Sequence, residues 1–431
     1  MEQYIDIAKC AVEKLKAVGA EKAECSLEYE NVQEINYECG QFSLLRTYSQ
    51  ASLKLKALAD GRVATSQIGD FSEKSIDYAV QCCMNTLKIA DQDPFEDIAE
   101  SQTNYVDIPQ ISEPDMQKFI ERLVEFDADI KKEYPLAFLE MCALYSRKRS
   151  VYVNTNGVTH CYDRGHYKVF PGFTGREGEE TTSFGCGSQL ILTNLDNRII
   201  DCGDVRGQLQ TAIDLLHPKA INEKFIGPVV FNEAMAHYLV NTLLNINAGK
   251  HLISGAARWK NKVGEKVVDS RISVGSLVSD PRILDIDPFT ADGYKSEDCW
   301  MIENGILKQL PVDRYTAAKT GMKRAGNDHA INIMRGGEDS LESLVNNIDH
   351  GILVGRISGA DIGCDGNIRG VAKNAFYIKN GHVVHPLRET MISGNLFEMF
   401  NSVRGISREQ KNDGFSIIPR ITVDNMVISI K

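Results

Sequence analysis

The chain has 431 residues, of which 43% are hydrophobic and 25% charged, and a formal net charge of −11. That length accommodates two or three domains with separate cores, in an ordinary globular composition. The acidic balance argues against a dedicated nucleic-acid binder, which carries a basic face, and no run approaches the ~18 consecutive apolar residues of a membrane helix. Met1–Lys16 has neither a basic leader nor an unbroken apolar stretch, and the eleven cysteines include no CxxC pair. Reduced thiols in a cytoplasmic protein are the expectation.

Residues 1–90 read as an α+β unit. Tyr4, Ile7, Ala8, Ala11, Leu15 and Val18 recur at helical spacing. Leu53, Leu55 and Ala57 alternate with polar neighbours as in a half-buried strand, which Asp60-Gly61 turns back into Arg62–Ile68. A second helix presents Ile76, Val80, Cys83 and Leu87 on one face, where Cys82 and Cys83 are packing residues.

The polar stretch 91–111, with Pro94 and Pro109, reads as a linker. A central α+β unit, 112–222, opens on Ser112-Glu113-Pro114-Asp115, where Ser112 is expected to cap a helix with Phe119, Leu123, Phe126 and Ile130 on its buried face. Strands follow over Ala137–Tyr145 and Val151–Val153. Arg147, Lys148 and Arg149 fall between them as a charged hairpin end, and Asn156-Gly157 turns into Val158–Val169. A short helix near Gln208–Leu216 closes this unit.

Residues 223–431 form the third region. Pro228–Phe231 is a strand that enters a helix at Asn232. Asn304-Gly305 and Asn380-Gly381 mark two hairpins, because Asn-Gly supplies the positive φ angles of a type I′ turn. Ile417–Val423 and Met426–Ile430 are the last strands. The fold class expected is α+β: N-terminal and central α/β units followed by a largely antiparallel β domain with an embedded helix.

The chemistry-bearing candidates lie on that helix. Phe-Asn-Glu-Ala-Met-Ala-His at 231–237 has the outline of a metallopeptidase helix, in which two imidazoles hold zinc and a carboxylate activates water. Asn232 stands where the first imidazole belongs, and an amide oxygen is a poor zinc ligand. A second reading needs no chemistry. Asn is among the best N-caps, Glu233 complements the helix dipole, and His237, five residues after Asn232, packs as a core histidine. His382 and His385, in a hairpin, point to opposite faces and are no ligand pair. Cys364-Asp365-Gly366 reads as a tight connection between strands. No GxSxG, Walker, GxGxxG or HExxH motif is present.

Several blocks together resemble the TldD/PmbA family, called modulators of DNA gyrase and also TldD–TldE peptidases. They are Ala57-Leu58-Ala59-Asp60-Gly61-Arg62-Val63-Ala64, Phe231-Asn232-Glu233-Ala234, Ile302-Glu303-Asn304-Gly305, Phe376-Tyr377-Ile378-Lys379-Asn380-Gly381, Ile392-Ser393-Gly394-Asn395-Leu396 and Pro419-Arg420-Ile421-Thr422-Val423-Asp424. The TldD kind holds zinc through His-Glu-x-x-x-His and a cysteine near the C-terminus. The PmbA (TldE) kind lacks these ligands and pairs with a TldD subunit in a peptidase for unfolded peptides.

By this resemblance Asn232 falls on the first ligand, Glu233 on the general base and His237 on the second ligand. The last cysteine is Cys364, so the region around Asn412-Asp413-Gly414 offers no thiolate. The chain resembles the PmbA (TldE) kind: vestigial positions Asn232, Glu233 and His237, no catalytic or metal residue assigned, no cofactor of its own, and zinc in a TldD-like partner. The partners implied are that subunit in a heterodimer, or a second copy in a homodimer, and a peptide substrate, with no direct nucleic-acid or membrane contact. A homodimeric peptide-binding modulator without a protease partner, or an autonomous peptidase with an atypical metal site, are the alternatives.

Overall fold

The computed structural model describes residues 1–186, 189–388 and 390–430. The first half runs α1 (Glu2–Ala17), β1 (Lys22–Glu38), β2 (Gln41–Ala59), β3 (Arg62–Ile68), α2 (Glu73–Ile89), β4 (Val106–Asp107), α3 (Met116–Glu133), β5 (Ala137–Asn154) and β6 (Thr159–Glu177). Short strands β7 (Glu180–Thr181), β8 (Gly185–Cys186) and β9 (Leu190–Leu192) precede α4 (Val205–Asp214). These strands form one sheet in the order β3-β2-β1-β5-β6-β4, with β7, β8 and β9 also on β6. β1 and β5 pair antiparallel from Glu24↔Asn154 to Tyr37↔Met141, so strands from residues 1–90 and 112–222 share a sheet. The stretch 91–111 contributes β4, parallel to β6.

Helical periodicity places the packing faces. Ala8, Ala11, Val12 and Leu15 of α1 and Ile76, Val80, Cys83 and Leu87 of α2 are buried against Leu53, Leu55 and Ala57 of β2. Phe119, Leu123, Phe126 and Ile130 of α3 make a second core with Leu139, Met141 and Phe173.

The structure departs from two local expectations. The cap of α3 is Asp115, whose side chain accepts from the Lys118 N–H, and not Ser112. Pro114 lacks an N–H and restricts Glu113 to extended backbone, so the helix starts after it. Arg147, Lys148 and Arg149 do not end a hairpin but lie inside a single strand, β5. Asp163 on β6 receives both Arg147 (Nε 2.9 Å, Nη2 2.8 Å) and Arg149 (Nε 3.3 Å). A carboxylate across the ladder makes the charges tolerable there.

The second half runs β10 (Phe225–Phe231), α5 (Glu233–Asn245), α6 (Gly249–Ser254), β11 (Val274–Ser276), β12 (Cys299–Glu303), β13 (Ile306–Leu307), α7 (Arg314–Thr320), β14 (Ile333–Met334) and α8 (Leu341–Asn346). It ends with β15 (His350–Ser358), β16 (Asn367–Lys379), β17 (His382–Pro386), β18 (Thr390–Asn395), α9 (Leu396–Met399), β19 (Val403–Asn412) and β20 (Ile417–Ile430). The sheet order is β10-β15-β16-β18-β20-β14-β11-β12-β13. β10 also pairs with β20, so β10, β15, β16, β18 and β20 close a five-membered ring of strands. The pairings are antiparallel except β10–β15 and β14–β20. The two last strands expected from sequence are one, β20, with Asn425 at φ +64° inside it.

The α+β class with an embedded helix is the observed one. Both Asn-Gly turns have the required signs: Asn304 and Gly305 at φ +50° and +76°, Asn380 and Gly381 at +49° and +77°. At Gly381 a Cβ would also lie 2.7 Å from the Asn346 carbonyl oxygen, whereas at Gly61, φ +70°, it would meet nothing within 4 Å. Gly381→Ala is therefore expected to cost about 1 kcal/mol more than Gly61→Ala, whose cost of about 1 kcal/mol is backbone strain alone. Urea unfolding of the two variants checks the difference, and equal losses would remove the steric share.

Candidate functional site

β10 lies between β15 and β20 and delivers the chain to α5 at a fixed point. Asn232, extended at φ −68° and ψ 173°, caps α5: its Oδ1 accepts from the Met235 N–H at 2.9 Å. Such a cap satisfies an orphan donor and is worth about 1 kcal/mol. Its own N–H donates to the Val354 carbonyl of β15 at 3.2 Å. The amide oxygen that would have to serve as a metal ligand is thus engaged by the helix it starts.

Glu233, with a side chain 12% exposed, accepts from Arg420 Nε at 2.9 Å. Arg420 comes from β20, far off in sequence, and satisfies a carboxylate that would otherwise be costly to bury. One turn into the helix, His237 Nε2 lies 2.6 Å from the Ile331 carbonyl and must carry the proton to donate to it. Asn241 Oδ1, a further turn on, accepts from the Ile331 N–H at 2.9 Å. The same face of α5 thus holds the backbone of one residue, Ile331, at both its carbonyl and its N–H, leaving His237 Nδ1 as the ring's acceptor.

Two cavities meet at Glu233. The larger, about 320 Å³, lies at the junction of the two sheets, between Phe173, Asp204, Gln208 and Asp214 on one side and Asn232, Glu233, Gly355 and Asn374 on the other. The smaller, about 170 Å³, is lined by Glu233, His237, Lys411, Asp413 and Ser416. Glu233 and Lys411 line both. Lys411 Nζ is 3.8 Å from Asp204 Oδ2. Burial pulls its amine below the ordinary lysine range, against the opposing pull of Asp204, Glu233 and Asp413. Burial likewise lifts the Asp204 carboxyl, an effect that Lys411 resists.

Of the expected positions, Asn232, Glu233 and His237 are adjacent, with Asn232 and Glu233 on the larger cavity and Glu233 and His237 on the smaller. His385 stacks on Tyr377 at 5.3 Å and its Nδ1 meets the Pro386 carbonyl, while His382 is exposed. Lys411, Asp204 and Asp413 were not singled out from sequence as site residues, and Arg420 only as part of a family block. Nothing in their spacing connects them to α5. Among the described residues no group of three or more His, Cys, Asp or Glu side chains is placed to share a metal ion.

Residues 225–430 match the family model of the PmbA/TldA metallopeptidase C-terminal domain. Metalloprotease PmbA of Escherichia coli O157:H7 is 23% identical over 418 residues, covering 92% of this chain and 86% of that protein. A metalloprotease PmbA homolog of Haemophilus influenzae is 22% identical over 387 residues, covering 86% of this chain and 83% of its own length. The crystal structure of TldE from Thermococcus kodakarensis superposes with a TM-score of 0.84 at 21% identity, covering 98% of this chain and 100% of that one.

Two measurements follow from this geometry. Arg420→Met leaves the Glu233 carboxylate without its guanidinium and is expected to cost about 1–3 kcal/mol. Adding Glu233→Gln should recover part of that loss, a coupling that a double-mutant cycle in urea reads directly. The second concerns His237, whose imidazole burial holds below the ordinary value of 6.5. The unfolded chain then takes up protons first as pH falls through that value, so stability is full above it and declines toward the folded-state pKa. His237→Gln should flatten the fall in unfolding free energy between pH 7 and 5, by at most about 1.4 kcal/mol per pH unit. An unchanged slope would mean that the ring titrates alike folded and unfolded.

Proposed function

The chain belongs to the TldD/PmbA family and is similar to its PmbA/TldE members, and from that premise we propose that it is the non-catalytic subunit of a two-chain zinc metalloprotease acting on unfolded or modified peptides. Its partner is a TldD-like chain that carries the zinc, and the contribution of this chain is to shape and wall the shared cleft.

The observation that carries the proposal is the donor set around Glu233. A catalytic zinc takes three protein ligands and keeps one position open. Here the Asn232 oxygen is committed to the helix cap, Glu233 to Arg420, and His237 is the one imidazole on the smaller cavity. The amine of Lys411 lines that same cavity and opposes a dication there. The residues present do not suit zinc, and no step of hydrolysis is assigned to them.

Other features favour a peptide-binding role. The lining of the two cavities carries Asp204, Asp214, Glu233 and Asp413 against Lys411 and Arg420, an excess of carboxylate that favours cationic groups such as a peptide amine. β17 pairs with β16 along one side, and its Val383 and Val384 are 47% and 53% exposed, with Val383 on the larger cavity. An extended, unfolded peptide adds to such an edge through main-chain hydrogen bonds that need no particular sequence.

The test combines the purified chain with the chain from the same genome that bears His-Glu-x-x-x-His, on a casein-derived unfolded peptide. Hydrolysis by the mixture should exceed that by the partner alone at least about tenfold, the scale on which completing a cleft changes rate. Glu233→Gln in this chain should leave the mixture well above the partner alone, because Glu233 lines the cleft but takes no step in hydrolysis. Zinc in this chain alone, after dialysis against trace zinc, should be near background. A partner rate indifferent to this chain overturns the proposal, and stoichiometric zinc here with a Glu233-dependent rate replaces it with an autonomous peptidase.

A further inference from the structure

Away from α5, the Sγ of Cys364 lies 2.9 Å from Nδ1 of His251. The residues are 113 apart in sequence: His251 sits on the short helix α6, and Cys364 in the connection between β15 and β16. Both are half-buried. At that separation the thiol can donate its proton to the ring nitrogen, the arrangement in which an imidazole serves as base for a sulfur nucleophile.

The pair is held in place from several directions. Asp365 accepts from the Asn367 N–H at 3.1 Å and from Asn367 Nδ2 at 2.6 Å. Asn395 Nδ2 donates to the Asp365 carbonyl at 2.8 Å, and the Leu396 N–H donates to the Gly366 carbonyl at 2.8 Å. These contacts assign a task to the Ser393-Gly394-Asn395 block that the cleft leaves unexplained: Asn395 fastens the segment carrying Cys364 to the end of β18. On the other side, the His251 carbonyl accepts from the Ala257 N–H at 2.9 Å, which fixes the exit of α6.

Eight of the nine other described thiols lie in surroundings of a different kind. Cys25, Cys83, Cys161 and Cys299 are buried, and burial pushes their thiols up, Cys83 to about 11. Burial also raises Cys142 and Cys202, and Cys202 Sγ contacts the Arg198 carbonyl. Cys10 and Cys39 are exposed. Among the described cysteines, Cys364 is the one that hydrogen-bonds an imidazole.

We propose that Cys364 and His251 form a thiol–imidazole pair that makes Cys364 the selective modification site of this chain for small soft electrophiles, hydroperoxides being the oxidant class. His251 Nδ1 takes the proton from Sγ as the sulfur attacks the nearer peroxide oxygen. The S–O bond forms as the O–O bond breaks, and the departing oxygen takes the proton back from the imidazolium and leaves as water or alcohol. The sulfur is oxidised by two electrons to the sulfenic acid and the peroxide is reduced by two. A single oxygen placed on Sγ replaces the thiol that donates to His251, so the modification acts directly on the contact between α6 and the β15–β16 connection.

The full-length chain is treated with limiting iodoacetamide at neutral pH, and each cysteine's rate is read by peptide mass spectrometry. Cys364 should react at least about tenfold faster than Cys10 and Cys39, despite being less exposed than either. His251→Asn, checked for an unchanged melting temperature, should bring Cys364 down to the rate of those exposed thiols. With hydrogen peroxide and dimedone, the adduct should concentrate on Cys364. A wild-type Cys364 rate no greater than that of Cys10 and Cys39 overturns the proposal without any variant, and a fast Cys364 that is indifferent to His251→Asn overturns the part given to the imidazole.

Discussion

The contact between Glu233 and Arg420 is the constraint around which the second half is organised. A carboxylate at the start of a largely buried helix is tolerable only if its oxygens are satisfied, and the helix dipole supplies part of that. The guanidinium supplies the rest, and it does so from β20, the strand that also pairs with β10 at Val229↔Val423 through Phe231↔Ile421. The ion pair therefore ties the first turn of α5 to the neighbour of the strand that feeds it. β10 in turn is held on its other edge by β15, from which Val354 receives the Asn232 N–H. Strand, cap and carboxylate together leave α5 one place to begin.

That placement generates the junction cavity. Asn232 and Glu233 face the surface where the first sheet's β6 and α4 approach the closed ring, and polar contacts there and beside the β2–β3 turn join the two halves. Lys168 meets Asp285 at 2.6 Å, Tyr315 meets Asp93 at 2.7 Å and Lys319 meets Asp93 at 3.1 Å. At the cavity itself the Ile191 N–H donates to the Asp413 carbonyl and Lys411 reaches Asp204, so the end of β19 and the loop after it are shared by both halves. Half-buried surface contacts of this kind contribute little one by one. Their effect here is on register: a polar junction leaves a lined gap where an apolar one would have closed it.

Much of this was legible in the sequence where the governing interaction is local. Asn304-Gly305 and Asn380-Gly381 announce their hairpins because the backbone angles they need are intrinsic to those residues. The buried faces of α1, α2 and α3 follow from apolar spacing alone. The Asn232 cap was legible for the same reason, since the hydrogen bond it makes ends three residues away. What was not legible depends on partners distant in the chain. Arg147 and Arg149 look like a loop until Asp163 is known to face them across the ladder. Asp204 and Lys411 stand more than 200 positions apart, and His251 and Cys364 more than 100, so no window of sequence contains both members of either pair. Ser112 and Asp115 differ in another way: both are good caps, and the position of Pro114 decides between them.

The double reading of residues 231–237 has a physical root. A metallopeptidase helix and a strand-to-helix junction both favour a polar residue at the first position and an acid at the second, one for ligation and water activation, the other for capping and dipole compensation. An imidazole there serves metal well and caps poorly; an amide does the reverse. With Asn232 in that position the capping role is fulfilled within the chain, and the acid beside it acquires a permanent cation in Arg420. Once the carboxylate is neutralised from inside, a metal brings less electrostatic gain to the site, and the amine of Lys411 opposes a dication in the same space. The family's helix can thus be retained for the packing of Leu239, Val240, Leu243 and Leu244 into the core, independently of whether its first turn holds an ion.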